Sequence, residues 1–112
     1  MKKFIQIILS FIILILSSEI SRAQDKSEFL IKIKNHRFVP EIIEVSANTE
    51  FKLVIENLDN TIEEFESDDL KKEKLIGAGK KISLQIKPLK AGQYKFYGDF
   101  HQKTAQGKIV VK

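Results

Sequence analysis

After Ser27 the chain alternates apolar and polar residues in short runs, each closed by a turn signal. Phe29, Ile31 and Ile33 alternate with Leu30, Lys32 and Lys34. Phe51, Leu53 and Ile55 alternate with Lys52, Val54 and Glu56, and Ile82, Leu84 and Ile86 alternate with Ser83 and Gln85. A period of two sends successive side chains to opposite faces, so such a run buries one face and wets the other. Shorter runs lie at Ile43–Val45, Ile62–Phe65, Tyr94–Tyr97 and Ile109–Val111, with turns at Ala47-Asn48-Thr49, Asn57–Asn60 and Gly77-Ala78-Gly79. Pro40 has no N–H to donate and marks an edge or crossing point. No segment past the N-terminal region sustains a 3.6-residue period, which excludes a helical bundle. The pattern predicts an all-β antiparallel Greek-key sandwich of about seven or eight strands. One short helical turn is expected over Ser67–Lys72, with Ser67 as its cap and Asp68 and Asp69 at its start.

The N-terminal residues follow a different logic. Lys2 and Lys3 precede an apolar run from Phe4 to Leu16, and Ser21-Arg22-Ala23 offers small residues where a signal peptidase reads. This order predicts a secretory signal over residues 1–23, cleaved after Ala23, and a periplasmic or secreted domain over 24–112. The apolar run is shorter than the roughly 20 residues of a spanning helix. No cysteine follows it, so no lipid anchor is expected. The formal charge of +4 is inflated by this segment. Without Lys2, Lys3, Arg22 and Glu19, 16 basic and 14 acidic side chains remain, too balanced for a nucleic-acid partner. The acidic groups are concentrated: Glu56, Asp59, Glu63, Glu64, Glu66, Asp68 and Asp69 fall in one stretch free of Lys and Arg, a candidate cation site.

Three motifs in order carry a family resemblance. Phe38-Val39-Pro40-Glu41-Ile42-Ile43-Glu44-Val45 is followed by Asn48–Asn57, a strand ending in asparagine. Pro88-Leu89-Lys90-Ala91-Gly92-Gln93-Tyr94 then leads into a loop carrying His101 before Ile109-Val110-Val111. Together these resemble the cupredoxin family over nearly the whole exported domain, and most of all the small exported cupredoxin-like proteins and domains associated with bacterial iron uptake. The resemblance implies a cupredoxin-like sandwich with a metal site between the asparagine-ending strand and the last loop. A blue-copper site uses two histidines, a cysteine and a weak axial methionine. Matched to that pattern, Glu63 stands at the first histidine, Gly98 at the cysteine and His101 at the second histidine. The axial position falls on Gln106 or Ala105, depending on the anchor.

The chain has no cysteine, so a copper–thiolate centre is excluded and blue-copper electron transfer with it. What remains is carboxylate and imidazole, a donor set for Cu(II), Fe, Mn or Zn. The resemblance implies Glu63 and His101 as metal ligands, with Asp99, Glu64 and His36 as further candidates and Glu66 beside Glu64. On a strand Glu63 and Glu64 point to opposite faces. Enzyme motifs such as Gly-x-Ser-x-Gly or His-Glu-x-x-His are absent, and no catalysis is expected. The expected function is an exported copper- or iron-binding protein serving metal uptake, partnered by a membrane permease or another exported metal protein. The alternative is a cofactor-free adaptor domain whose metal site has decayed.

Overall fold

Each alternating run becomes a strand in the computed structural model, which describes residues 27–112. The strands are β1 (Glu28–Lys34), β2 (Arg37–Val39), β3 (Ile42–Val45), β4 (Phe51–Asn57), β5 (Glu63–Ser67), β6 (Lys72–Ile76), β7 (Lys81–Ile86), β8 (Gly92–Gly98) and β9 (Gln106–Val111). A 3-10 turn, Asp99–His101, lies between β8 and β9. The signal segment expected over residues 1–23 lies outside the described residues.

The strands form two sheets, ordered β2-β1-β4-β7 and β3-β9-β8-β5-β6, so the expected sandwich is present with nine strands among the described residues. Two of its pairings are parallel, β1 with β4 and β3 with β9. The chain crosses between the sheets at Pro40, and the Val39–Pro40 peptide is cis. After β2 the chain passes to the other sheet as β3, then returns as β4 beside β1 in the same direction.

Between the sheets, alternation delivers one apolar face from each. Ile31, Ile33, Phe51, Leu53 and Ile55 come from β1 and β4; Phe65, Phe96, Ile109 and Val111 come from β5, β8 and β9. Phe38, Phe65 and Phe96 meet as an aromatic cluster, with Phe38 and Phe96 edge to face at 5.0 Å between centroids. Such a pair adds about 0.5–1.5 kcal/mol beyond its buried area.

Ser67–Lys72 is not helical. Ser67 ends β5, and Lys71 at φ 56° closes a tight turn into β6. The capping groups serve that turn instead. The Ser67 hydroxyl accepts the Leu70 N–H at 3.1 Å, and the Asp69 carboxylate accepts the Lys95 N–H at 2.8 Å, tying the turn to β8. The one helical turn among the described residues is Asp99–His101.

Candidate metal centre

Glu63 opens β5 on the inward face, and its side chain is 1% exposed. A carboxylate at that depth needs partners for its lone pairs. One oxygen accepts the backbone N–H groups of Glu64 at 3.0 Å and Phe100 at 2.9 Å. The other meets Nδ1 of His101 at 2.5 Å. A carboxylate without its proton only accepts hydrogen bonds, and with Glu63 in that form Nδ1 is the donor of this contact. The 3-10 turn brings both donors in: it points the Phe100 N–H and the His101 ring at the same carboxyl group.

Gly98 ends β8 directly beside this pair. A Cβ at this position would lie 2.7 Å from Cδ of Glu63, 2.9 Å from its Oε2 and 2.8 Å from the Ala105 methyl. Glu63 therefore fills the volume that a side chain at the cysteine position would need. Ala105 is fully buried against it, whereas Gln106 is exposed and donates to the Gln102 carbonyl. The residue facing the site at the axial position is Ala105, a methyl group with no donor. A blue-copper centre does not fit these residues: neither a thiolate nor an axial sulfur is present, and a side chain at position 98 would collide with Glu63 and Ala105.

His36 stacks on His101, rings parallel to within 12° and centroids 3.6 Å apart. Sequence spacing alone did not reveal this contact. His36 occupies the second position of a two-residue hairpin turn between β1 and β2, where Lys34 pairs with Arg37. Asn35 and His36 both have positive φ, 53° and 58°, the geometry of a type I′ turn. The two carboxylate oxygens of Asp59 accept the N–H groups of Asn35 (2.8 Å) and His36 (2.9 Å) and hold the turn in place. Asp59 is positioned in turn by buried Asn57, whose side-chain oxygen accepts the Asp59 N–H and whose amide donates to the carbonyls of Thr61 and Ile76. Sequence reasoning counted Asp59 only among the acidic stretch and missed its hold on the His36 turn. The available signal was its place in the polar turn after the asparagine-ending strand.

The remaining candidates lie apart from this pair. Glu64 and Asp99 converge with Glu66, and carboxylate oxygens of the three lie within 4.8 Å of one another in a group that contains neither histidine. Glu66 sits directly opposite Glu73 across the β5–β6 ladder, and like charges so placed repel. Desolvation, followed by the charges of Glu73, Glu66 and Asp99, raises the Glu64 carboxyl above its ordinary range. Desolvation and then Asp68, Glu66 and Asp99 likewise raise Tyr97. A raised carboxyl favours the fold at pH below its unfolded value, and the benefit is lost as pH rises through the folded value. Glu66→Gln is therefore expected to raise the thermal midpoint at neutral pH and to leave it unchanged near pH 3, roughly below the carboxylate range. Thermal scans at the two pH values check this, and an unchanged midpoint at neutral pH would refute the repulsion.

The chain matches the cupredoxin-like domain family over residues 6–111. An uncharacterized protein of Rickettsia prowazekii is 52% identical over 84 residues, covering 75% of this chain and 67% of that protein. Among solved structures, the metal-binding domain of the Cu(I)-exporting P-type ATPase of Streptococcus pneumoniae superposes with a TM-score of 0.67 at 14% identity, covering 80% of this chain and 91% of that one. Auracyanin A, a blue copper protein of Chloroflexus aurantiacus, gives 0.66 at 15% identity over 76% and 98%. A purple cupredoxin of Nitrosopumilus maritimus gives 0.57 at 19% identity over 74% and 98%. These solved structures share the overall fold, and by its match over residues 6–111 the chain belongs to the cupredoxin-like domain family.

Proposed function

We propose that this protein binds a divalent transition metal, copper or iron, with imidazole and carboxylate in place of thiolate. It acts as an exported carrier, periplasmic or secreted, that captures metal and hands it to a membrane permease or another exported metal protein. Its role is binding and not catalysis. The observation that supports this reading is the meeting of Glu63 and His101 beside Gly98, with a second imidazole, His36, stacked against the first. Imidazole with carboxylate suits Cu(II), Fe and Zn, and copper proteins are among the structural neighbours.

Titration calorimetry with Cu(II) and Fe(II) tests the reading. The parent protein is expected to bind one ion without the intense visible absorption of a copper–thiolate bond. Binding is expected to weaken on acidification, because imidazole binds metal only when unprotonated. His101→Ala is expected to remove most of the affinity. Parent-like affinity in His101→Ala would overturn the assignment.

A second reading, a cofactor-free adaptor domain, is favoured by one observation. Glu63 has three hydrogen bonds without any ion, and no buried side-chain nitrogen or oxygen among the described residues lacks a partner. Absence of metal binding in the parent protein would select it.

A further inference from the structure

We propose that the free edge of β7 is a docking site for an extended acidic segment of another protein, taken up as an added strand. The surface involves neither Glu63 nor the two histidines, so the proposal stands apart from the metal-binding reading.

The edge strands are β2 and β7 in one sheet, β3 and β6 in the other. All but β7 carry guards against edge-to-edge pairing. β2 has 3 residues and runs into Pro40. β3 has 4, begins just past that proline, and holds the Lys112 ammonium on Glu44. β6 carries Lys72, Glu73 and Lys74 in succession. β7 instead has an uncharged run from Ile82 to Ile86, in unbroken register with β4. Its free backbone groups can be identified. Asn57 donates its N–H to the Lys80 carbonyl, while the Lys52 N–H turns the other way, to the Ser27 carbonyl beside β1. Bonded pairs alternate along an antiparallel ladder, so Ile82, Leu84 and Ile86 bond β4. The N–H and C=O groups of Lys81, Ser83 and Gln85 point away from it and meet no partner among the described residues.

The flank beside this edge points to the occupant. Ile82 and Leu84 lie on the inward face yet stay only half-buried, because the facing sheet ends at β6, which lies over β4. Lys72 and Lys74 share the inward face of β6 with Ile76, opposite Ser67, Phe65 and Glu63 in turn. At the sheet edge that face borders the same opening. Lys80, Lys81 and Lys87 bracket β7 along the chain, and Glu56 is the only acid in register with it. Half-wet apolar groups in a basic surround fit a strand that alternates apolar and acidic residues. Its apolar side chains would cover Ile82 and Leu84, its carboxylates would meet the lysines, and its backbone would complete the ladder. A second copy of this chain fits worse. The fully overlapped antiparallel register sets Leu84 against its own copy and Lys81 against Lys87, and like charges directly opposite repel.

Amide NMR of the nitrogen-15-labelled protein tests this with a capped peptide in which valine and glutamate alternate. A control peptide carries lysine in place of each glutamate. The glutamate peptide is expected to shift the amides of Lys81, Ser83 and Gln85 most, and to bind less tightly as salt is added. The lysine peptide is expected to bind at least about tenfold more weakly, since repulsion replaces attraction. Ser83→Pro removes an N–H that β4 does not use, so the fold is expected to survive. It is expected to weaken the glutamate peptide about tenfold, the worth of one net hydrogen bond. Lys72→Glu combined with Lys74→Glu is expected to remove most of the preference for the glutamate peptide, and it decides the matter even if Ser83→Pro does not fold. No binding of the glutamate peptide, equal binding of the two peptides, shifts centred on another strand, or an undiminished preference in the lysine variant would each overturn the proposal. A dimer that forms on concentration and is lost in Ser83→Pro would overturn it in favour of self-pairing.

Discussion

Glu63→Ala is expected to lower folding stability by about 3 kcal/mol, because it removes the shared acceptor of three part-buried donors. The carboxylate is the acceptor for the N–H groups of Glu64 and Phe100 and for Nδ1 of His101. Each buried donor left unpaired costs about 1–3 kcal/mol, and the vacated volume adds a cavity term. The loss would also free the Asp99–His101 turn from β5, since Glu63 joins the two. Glu63→Gln keeps an acceptor and the size of the side chain, so it should lose markedly less. Urea unfolding of both variants checks this. A loss below about 1 kcal/mol for Glu63→Ala would show that the carboxylate does not hold the loop.

Gly98→Cys is expected to destabilise the protein by about 1–3 kcal/mol, the usual range for overpacking a filled interior, and to fail as a route to a blue-copper centre. Its Cβ would meet Cδ of Glu63 at 2.7 Å and the Ala105 methyl at 2.8 Å. Neither is the loose end of a flexible chain: the first is bonded three times and the second is fully buried. Pairing the change with Glu63→His removes the obstructing carboxylate and supplies a second imidazole. The double variant is expected to develop an intense Cu(II)–thiolate absorption that Gly98→Cys alone lacks, and visible spectra after Cu(II) addition compare the two. A strong band in the single variant would mean that Glu63 yields its place readily.

Strong strands were legible in the sequence where one face is buried. Ile31 and Ile33, and Phe51, Leu53 and Ile55, alternate in sequence and are all buried in the structure. β6 was not legible, because it is an edge strand whose Lys72, Glu73, Lys74 and Leu75 all keep contact with solvent and only Ile76 is buried. A strand that buries one residue in five leaves no alternation to read. Ser67, Asp68 and Asp69 misled for a related reason: the groups that cap a helix also serve turns, and here the Ser67 hydroxyl caps the turn at Leu70 while the Asp69 carboxylate ties it to β8.

At the site, the opposed directions of Glu63 and Glu64 followed from strand geometry, and the structure buries the first and not the second. The proximity of Glu63 to His101 followed from the resemblance. The stacking of His36 on His101 depends on a hairpin turn with two residues at positive φ, clamped by a carboxylate 23 and 24 positions away. Local pattern carries no trace of such a contact.

The parallel pairing of β3 with β9 joins residues 42–45 to residues 108–111. Sheet closure must therefore wait for residues 108–111. Until β9 arrives, β3 has no partner in its sheet and β8 has a bare edge. Non-local β topologies of this kind fold in roughly milliseconds to seconds. A chain emerging from the ribosome thus keeps this sheet open until residues 108–111 have emerged. That interval is a window in which the unpaired edge of β8 is exposed to wrong partners.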